Sequence, residues 1–446
     1  MRALIEHTYP TQLQLMRETC TQRPWKLLSA WPRNRPVAAY IDRSDHDARV
    51  LLVEPHSPFP ISGPDQLALI ERAAATACPP GCLFFLGYEL GRHIEPAARA
   101  ACPPLDDRDW PTGLVLPYGS VLHVEPAVET VSGRAGRAEQ PSASSHACSS
   151  RFELCLSENA GAREQFIAAV ERILEFIRAG DVYQVNLTHR LTGTLRGSPR
   201  AFAAALLGTT APRHGAYLEW TDPRGLGRAI VSASPELFLR FDPRDRSILT
   251  RPMKGTRPIA ADERELASSP KDQAELNMIV DLMRNDLGRV CQPGSVEVVS
   301  ALNLERHAES VLQATASVRG KMRPGLGIEQ LIYATFPPGS VTGAPKIRAM
   351  QIIEELEPLV RGPYCGTIGH IDPHGLVTMN VVIRTALLTQ TAQPDVWTLD
   401  FPVGAGIVAD SDPEMEWEET LLKAEVLLRL LEQETGTLAE PKAGLF

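Results

Sequence analysis

Residues 249–287 read LTRPMKGTRPIAADERELASSPKDQAELNMIVDLMRNDL, and this stretch organises the interpretation of the whole chain. Its first half places Lys254 between an apolar residue and a glycine, with a proline on either side. Gly255 allows a backbone turn or the close approach of a ligand, and the prolines stiffen both flanks. Such an arrangement can hold an amine in a shaped, partly dry pocket, where its neutral form acts as a nucleophile.

The second half of the stretch predicts an amphipathic helix from residue 270 to about residue 287. Ser269 suits the cap position and Pro270 the first helical position. The face predicted to be buried carries Leu276, Ile279, Val280, Met283 and Leu287. Asp272 and Glu275 are three residues apart, so they share one flank. Each feature alone has an ordinary alternative, because loop lysines are commonly exposed and acidic residues in a first turn commonly serve the helix dipole.

The composition is that of a globular protein. The chain has 446 residues, enough for one large domain or for two to three smaller ones. A net charge of −9 argues against nucleic acid as a partner and against a polybasic membrane anchor. No apolar run approaches the ~20 residues that a membrane span needs, and residues 1–7 lack the apolar core of a secretory signal. Of the eight cysteines, Cys78 and Cys82 form a close pair that is weak evidence for zinc, so we expect reduced thiols in a cytoplasmic protein.

The chain divides into four predicted stretches. Residues 1–125 show a mixed α and β pattern, and residues 126–150, rich in Ser, Gly, Ala and Arg, form a linker or loop. Residues 151–434 form the larger region, and residues 435–446 a frayed tail. Because the strands occur in hairpin-like groups rather than in strict β-α alternation, the pattern favours an α+β fold over a doubly wound one.

A helix predicted from residue 413 to residue 431 carries a second polar cluster. Glu416, Glu419 and Lys423 fall at i, i+3 and i+7 and therefore lie on one face. A solvated ladder of salt bridges is the ordinary explanation of such a face. The preceding stretch, residues 404–410, has two glycines among apolar residues and is predicted to be a loop that a ligand can approach closely. Together with the carboxylate pair of the first helix, this face would form an all-oxygen site suited to Mg²⁺.

The sequence resembles the chorismate-utilising enzymes, the family of anthranilate synthase component I, isochorismate and salicylate synthases, and aminodeoxychorismate synthase component I. The stretches that carry the resemblance follow the family's order from about Phe152 to Glu432: Asp181–Leu187, Ser232–Glu236, Arg251–Pro258, Ile279–Arg289, Phe336–Lys346, Ile383–Thr385 and Gly404–Pro413. The N-terminal third matches more loosely, through Pro24–Ser29 and Leu86–Leu90. The resemblance implies two antiparallel β-sheets packed face to face, with helices on the outside and the active site between the sheets.

Two positions distinguish members of this family. Its water-using synthases have a lysine general base in place of Gln184, and a glutamine cannot accept a proton, so isochorismate synthesis is not expected. Anthranilate synthases usually carry alanine in place of Lys254, whereas a lysine resembles aminodeoxychorismate synthase component I, in which it is the covalent nucleophile. The resemblance therefore implies amination of chorismate at C4 to 4-amino-4-deoxychorismate, in para-aminobenzoate and folate biosynthesis.

The resemblance also implies roles for the other site residues. Lys254 would attack C2, and Glu236 would act as the general acid that protonates the leaving C4 hydroxyl. Mg²⁺ would be held by four carboxylates, the first two directly and the others through water or second-shell bonds: Glu275, Glu419, Asp272 and Glu416. The substrate would be held or lined by Arg384, Tyr364, Lys423, Thr342, Gly343, Gly404, Ala405 and Gly406.

Gln313 departs from the family pattern, which commonly has a histidine at this position. In anthranilate synthase that histidine is tied to steps that include elimination of pyruvate. Its absence is compatible with a product that keeps the enolpyruvyl group, and it argues against transferring the role of the histidine to this chain.

The partners expected are chorismate, ammonia and a glutamine amidotransferase subunit in a heterodimer, because the sequence contains no glutaminase nucleophile elbow. The resemblance leaves open a bound tryptophan in the N-terminal region, around Leu28 and Ser29. Two alternative functions remain. Anthranilate synthase component I is disfavoured by Lys254 and Gln313, and a non-catalytic amino-acid-sensing paralogue is disfavoured by the intact acidic residues together with Arg384.

Overall fold

A computed structural model describes residues 25, 28–29, 31, 36–42, 49–78, 80–100, 102–124, 151–157, 159–258, 269–307 and 311–435. The predicted linker, residues 126–150, and all but the first residue of the predicted tail lie outside the described residues. None of the described helices is long and apolar enough to cross a membrane.

Helices and strands follow one another in groups rather than in strict alternation. The helices are α1 (Ala68–Thr76), α2 (Leu90–Ile94), α3 (Ala162–Arg178), α4 (Pro199–Thr210), α5 (Pro270–Gly288), α6 (Ile328–Thr335), α7 (Lys346–Leu356) and α8 (Pro413–Thr435). The strands are β1 (Ala38–Asp42), β2 (Arg49–Pro55), β3 (Phe59–Ile61), β4 (Cys82–Leu86), β5 (Gly113–Val124), β6 (Phe152–Leu156), β7 (Gln184–Gly197), β8 (Ala216–Thr221), β9 (Gly227–Ser232), β10 (Leu237–Asp242), β11 (Ser247–Arg251), β12 (Met253–Pro258), β13 (Glu297–His307), β14 (Val311–Lys321), β15 (Gly343–Ala344), β16 (Thr367–Ile371), β17 (Val377–Val381), β18 (Thr385–Gln390) and β19 (Val396–Ile407).

The strands form two antiparallel sheets that share β5. The first sheet contains β1, β2, β6 to β9, β15, β18 and β19, and the second contains β3, β4, β10 to β14, β16 and β17. The first half of β5 pairs with β3 and β4, and its second half pairs with β2. The predicted α+β fold with two antiparallel sheets is confirmed.

The two sheets pack face to face because strand residues alternate between two buried faces. On β4, Leu83 and Phe85 pack with Leu218 and Ile230 of the first sheet, in a core that lies between the sheets. The intervening Phe84 belongs to the core beneath the outer helices. One face of each sheet packs against the other sheet and the other face packs against helices, so the helices lie on the outside, as predicted.

The N-terminal strands complete both sheets. β1 pairs with β8 of the first sheet, and β4 pairs with β16 of the second. The strands before residue 125 therefore share ladders with strands of the C-terminal region instead of forming a separate sheet.

The predicted helix in the opening stretch is confirmed. The Ser269 side chain accepts a hydrogen bond from the Asp272 backbone N–H at 3.3 Å, so it caps α5. All five residues of the predicted apolar face of α5 are buried. This face packs α5 against the second sheet, while its acidic flank turns to the cavity described below.

The prediction of a loop over residues 404–410 is wrong for its first four residues. They end β19 and pair in register with β7, Gly404 opposite Thr188 and Gly406 opposite Asn186. A side chain on Gly404 would come within 2.6 Å of the Leu187 carbonyl oxygen. Gly404 therefore allows close packing within the sheet, and both glycines still line the cavity described below.

Candidate active site

A cavity of about 730 Å³ is lined by residues of both sheets, by α5 and by α8. Eleven of the predicted site residues line it: Glu236, Lys254, Asp272, Glu275, Tyr364, Arg384, Gly404, Gly406, Glu416, Glu419 and Lys423. They come from parts of the chain up to 187 residues apart, yet the fold brings them to one place.

Three predicted substrate-binding residues do not line this cavity. Ala405 lies between two lining glycines on β19, but strand alternation turns its side chain into the opposite core. Thr342 is fully buried, and its hydroxyl donates to the carbonyl oxygens of Pro338 and Gly339. Gly343 pairs with Val185 of β7. The structure gives these three residues packing or hydrogen-bonding roles, and their contact with substrate stays a prediction.

Glu236 is a buried carboxyl group in the segment that links β9 of the first sheet to β10 of the second. Its side chain is 3% exposed, and Oε1 accepts a hydrogen bond from the Ser340 hydroxyl at 2.6 Å. Burial raises the pKa of Glu236 from 4.5 to about 7, against the opposing effects of Ser340, the Lys254 charge, the Met253 N–H and the Arg384 charge. A carboxyl group with this pKa can hold a proton near neutral pH and give it up during a reaction.

Lys254 lies on β12, not in a surface loop. The pairing of β12 with β14 shifts register between Lys254 and Thr256, and the intervening Gly255 has a left-handed φ of 68°. This bulge is the backbone turn that Gly255 was predicted to allow. Lys254 is half-buried, lines the cavity and is close enough to Glu236 to influence its pKa.

Arg384 supplies a buried positive charge to the cavity wall. Burial lowers the pKa of its guanidinium from 12.5 to about 10, and the neighbouring Glu236 opposes that shift. Its Nη2 donates to the neutral Gln313 Oε1 at 3.3 Å. A planar cation held in this way suits a carboxylate ligand, because the guanidinium can offer two parallel N–H groups.

On α8, Lys423 holds the helix face to the strand beneath it. Its Nζ donates to the Gly404 carbonyl oxygen and forms an ion pair with Glu419 Oε1, both at 2.7 Å. The ordinary salt-bridge explanation of this face is therefore correct for one pair, although the face also lines the cavity. The pair places one cation and one carboxylate side by side at the cavity wall.

The acidic residues of α5 and α8 face the same cavity. Asp272 and Glu416 are buried, and the Ser411 hydroxyl donates to Glu416 Oε1 at 2.6 Å. Within the described residues, no three His, Cys, Asp or Glu side chains are grouped closely enough to hold a metal ion by themselves. The donor set fits Mg²⁺, which commonly takes one or two carboxylates and completes its shell with water and ligand oxygens.

A family model described as chorismate binding enzyme matches residues 36–429. This chain belongs to the chorismate binding enzyme family. The resemblance read from the sequence is thereby confirmed.

Two relatives and one solved structure illustrate the similarity. Anthranilate synthase component 1 of Streptomyces coelicolor is 33% identical over 424 residues, 84% of this chain and 79% of the relative. Aminodeoxychorismate synthase component 1 of Klebsiella aerogenes is 36% identical over 366 residues, 79% of this chain and 77% of the relative. The crystal structure of anthranilate synthase component I from Streptococcus pneumoniae has a TM-score of 0.64 at 25% identity and covers 88% of this chain and 90% of that chain.

Sequence reasoning missed several residues of the cavity wall in this family member. Ser340, the hydrogen-bond donor to Glu236, lies in a motif that the sequence did flag, but its partner is 104 residues away. Asn186, another lining residue, also lies within a flagged motif, Asp181–Leu187. Met415 and Leu422 are exposed apolar residues of α8 that line the cavity. They lie four residues before and three residues after Glu419, so helical spacing is the signal that could have placed them there.

Proposed function

We propose that this protein aminates chorismate at C4 with ammonia, giving 4-amino-4-deoxychorismate and water. The observation that carries the proposal is the pairing of Lys254 with Glu236 in one cavity. The reaction needs a nucleophile and a proton donor on the same substrate. The Lys254 amine can serve as the nucleophile, and the carboxyl group of Glu236, whose pKa is raised, can serve as the proton donor.

The chemistry proceeds in two balanced steps. The neutral amine of Lys254 attacks C2 of chorismate, the ring double bonds shift, and the C4–O bond breaks while Glu236 gives its proton to the departing oxygen, which leaves as water. Ammonia then attacks C4, the double bonds shift back, and the C2–N bond breaks to release the Lys254 amine. The added nitrogen gives up a proton, which restores the acid form of Glu236. Replacing one difficult displacement by two easier ones is the usual benefit of covalent catalysis.

The cavity wall also supplies groups to bind a ring dicarboxylate. Arg384 suits one carboxylate as a planar clamp, and Lys423 offers a point charge. Glu275 and Glu419 would hold Mg²⁺, with Asp272 and Glu416 in support. When bound, the ion would neutralise a substrate carboxylate and draw electron density from the ring.

The ammonia would come from a separate glutamine amidotransferase subunit bound to this chain. Both relatives named above are called component 1, which supports a partner subunit. The reaction would then serve para-aminobenzoate and folate biosynthesis.

Anthranilate synthesis is the second candidate function. The relative from Streptomyces coelicolor, an anthranilate synthase component 1, supports it at 33% identity. The same cavity could bind chorismate for either reaction. The two products differ in two features. Anthranilate carries its amino group at C2 and has lost the enolpyruvyl group as pyruvate, whereas 4-amino-4-deoxychorismate carries it at C4 and has kept that group.

Mass spectrometry of the product tests the proposal. Purified protein is incubated with chorismate, Mg²⁺ and ammonium, with and without an added 4-amino-4-deoxychorismate lyase. We expect an aminated product that keeps the enolpyruvyl group, and 4-aminobenzoate only when the lyase is present. Anthranilate and pyruvate formed without the lyase would instead establish the second candidate function. Reactions without ammonium control for rearrangement of chorismate itself.

A further inference from the structure

Gln184 carries a buried polar group that the proposed chemistry leaves unused. Its side chain is 0% exposed. Both Oε1 and Nε2 are buried, and neither has a hydrogen-bond partner among the described residues. An unpaired buried polar group costs about 1–3 kcal/mol, so native proteins keep few of them. The cost indicates that this amide has a partner in a working state of the site.

The surroundings of Gln184 indicate which partner that is. Gln184 is the first residue of β7 and lies opposite Ala344 of β15. A side chain on Gly406 would come within 2.7 Å of Gln184 Nε2 and within 2.9 Å of Lys254 Nζ. The amide and the amine therefore approach the same small space beside Gly406, which the absence of a side chain keeps open.

We propose that Gln184 is a positioning residue for Lys254, an inference that rests on the proposed function. Its amide oxygen accepts a hydrogen bond from the neutral amine, which fixes the nitrogen and leaves its lone pair directed at C2 of chorismate. Rotation of the amide exchanges its oxygen and nitrogen, so the oxygen can face the amine. The hydrogen bond forms as substrate binds and the amine takes up its reactive position.

An amide suits this task better than the alternatives of similar size. A carboxylate in the same place would hold Lys254 as an ammonium, whose nitrogen has no lone pair with which to attack. An apolar side chain would leave the amine free to rotate. Because a misplacement of ~1 Å in a reacting group can cost about 100-fold in rate, loss of this hydrogen bond should be visible in kinetics.

Two variants separate positioning from packing. Gln184→Met keeps the length of the side chain and removes both polar atoms, and since those atoms are unpaired the variant should melt at or above the wild-type temperature. Gln184→Glu introduces the carboxylate. Gln390→Leu is the control for loss of a glutamine amide away from the site, because Gln390 on β18 lies outside the cavity lining and its amide oxygen accepts from the Gly227 N–H.

The first measurement is the rate at which a covalent adduct with the mass of chorismate minus water forms on Lys254 in the absence of ammonia. The second is kcat and KM for chorismate in the amination reaction. We expect Gln184→Met to slow adduct formation and kcat by about 10- to 100-fold with KM within about 2-fold, and Gln184→Glu to slow them further. Gln390→Leu should match the wild type. An adduct rate in Gln184→Met equal to the wild-type rate would overturn the proposal.

A second background distinguishes positioning from a structural effect. In Lys254→Ala, residual direct amination no longer uses the amine, so adding Gln184→Met should leave it unchanged. If Gln184→Met lowers amination by the same factor in both backgrounds, the residue acts on the site as a whole and the inference is wrong. If wild-type protein forms neither adduct nor aminated product, the proposed function itself fails, which is a separate result.

Discussion

Glu236→Gln should stabilise the protein in alkaline solution while it removes most of the activity. The carboxyl group is buried and has a pKa of about 7 against an ordinary value of 4.5. Folding therefore favours its protonated form. Glutamine resembles that neutral form, since its amide oxygen can still accept the hydrogen bond that the Ser340 hydroxyl donates.

The magnitude follows from the size of the pKa shift. A difference of about 2.5 pKa units corresponds to about 3 kcal/mol of unfolding free energy. Since the pKa is raised, the wild type has its full stability below pH 4.5 and loses this amount as the pH rises through 7. Glu236→Gln should therefore match the wild type near pH 4.5 and exceed it by about 3 kcal/mol at pH 9. In a chain of this size that difference corresponds to about 3 °C in Tm.

The assay compares thermal unfolding of both proteins at several pH values between 5 and 9, with amination of chorismate measured on the same preparations. Loss of the general acid should lower amination by about 10²- to 10⁴-fold. A stability difference between the two proteins that stays constant from pH 5 to pH 9 would refute the raised pKa. Amination by Glu236→Gln at the wild-type rate would refute the role of this carboxyl group as the acid.

Three further predictions follow from the same site. Ser340→Ala removes a hydrogen bond that lowers the pKa of Glu236, so the alkaline limit of amination should move to higher pH, and an unchanged pH–rate profile would contradict this. Glu275→Gln and Glu419→Gln should each lose activity in limiting Mg²⁺ because each removes an anionic ligand, whereas full activity under that condition would exclude the metal assignment. The wild type should form no isochorismate, since Gln184 cannot activate water; chromatography of the products would show isochorismate at a rate near that of amination if this were wrong.

Local signals in the sequence predicted the helices of the site well. The cap at Ser269 and the apolar spacing of the following helix are confirmed, because both depend on residues a few positions apart. The same holds for Glu416, Glu419 and Lys423, whose spacing places them on one face of α8 that lines the cavity.

Long-range pairing explains what the sequence did not reveal. Gly404 and Gly406 suggested a loop, yet their conformation is set by β7, which lies more than 200 residues earlier in the chain. The same pairing turns Ala405 away from the cavity. Ser340 lies in a short 3-10 helix, Gly339–Val341, and meets Glu236 across 104 residues of sequence, so no pattern near either residue predicts that contact.

The central claim is that Lys254 is the covalent nucleophile, and one measurement tests it most directly. Wild-type protein and Lys254→Ala are incubated with chorismate and Mg²⁺, without ammonia or glutamine, and the intact proteins and their peptides around residue 254 are analysed by mass spectrometry. We predict an adduct of chorismate minus water on Lys254 in the wild type, none in Lys254→Ala, and a large fall in amination by the variant when ammonia is dilute. No adduct on Lys254, together with amination by Lys254→Ala at the wild-type rate, would contradict the account and favour anthranilate synthesis.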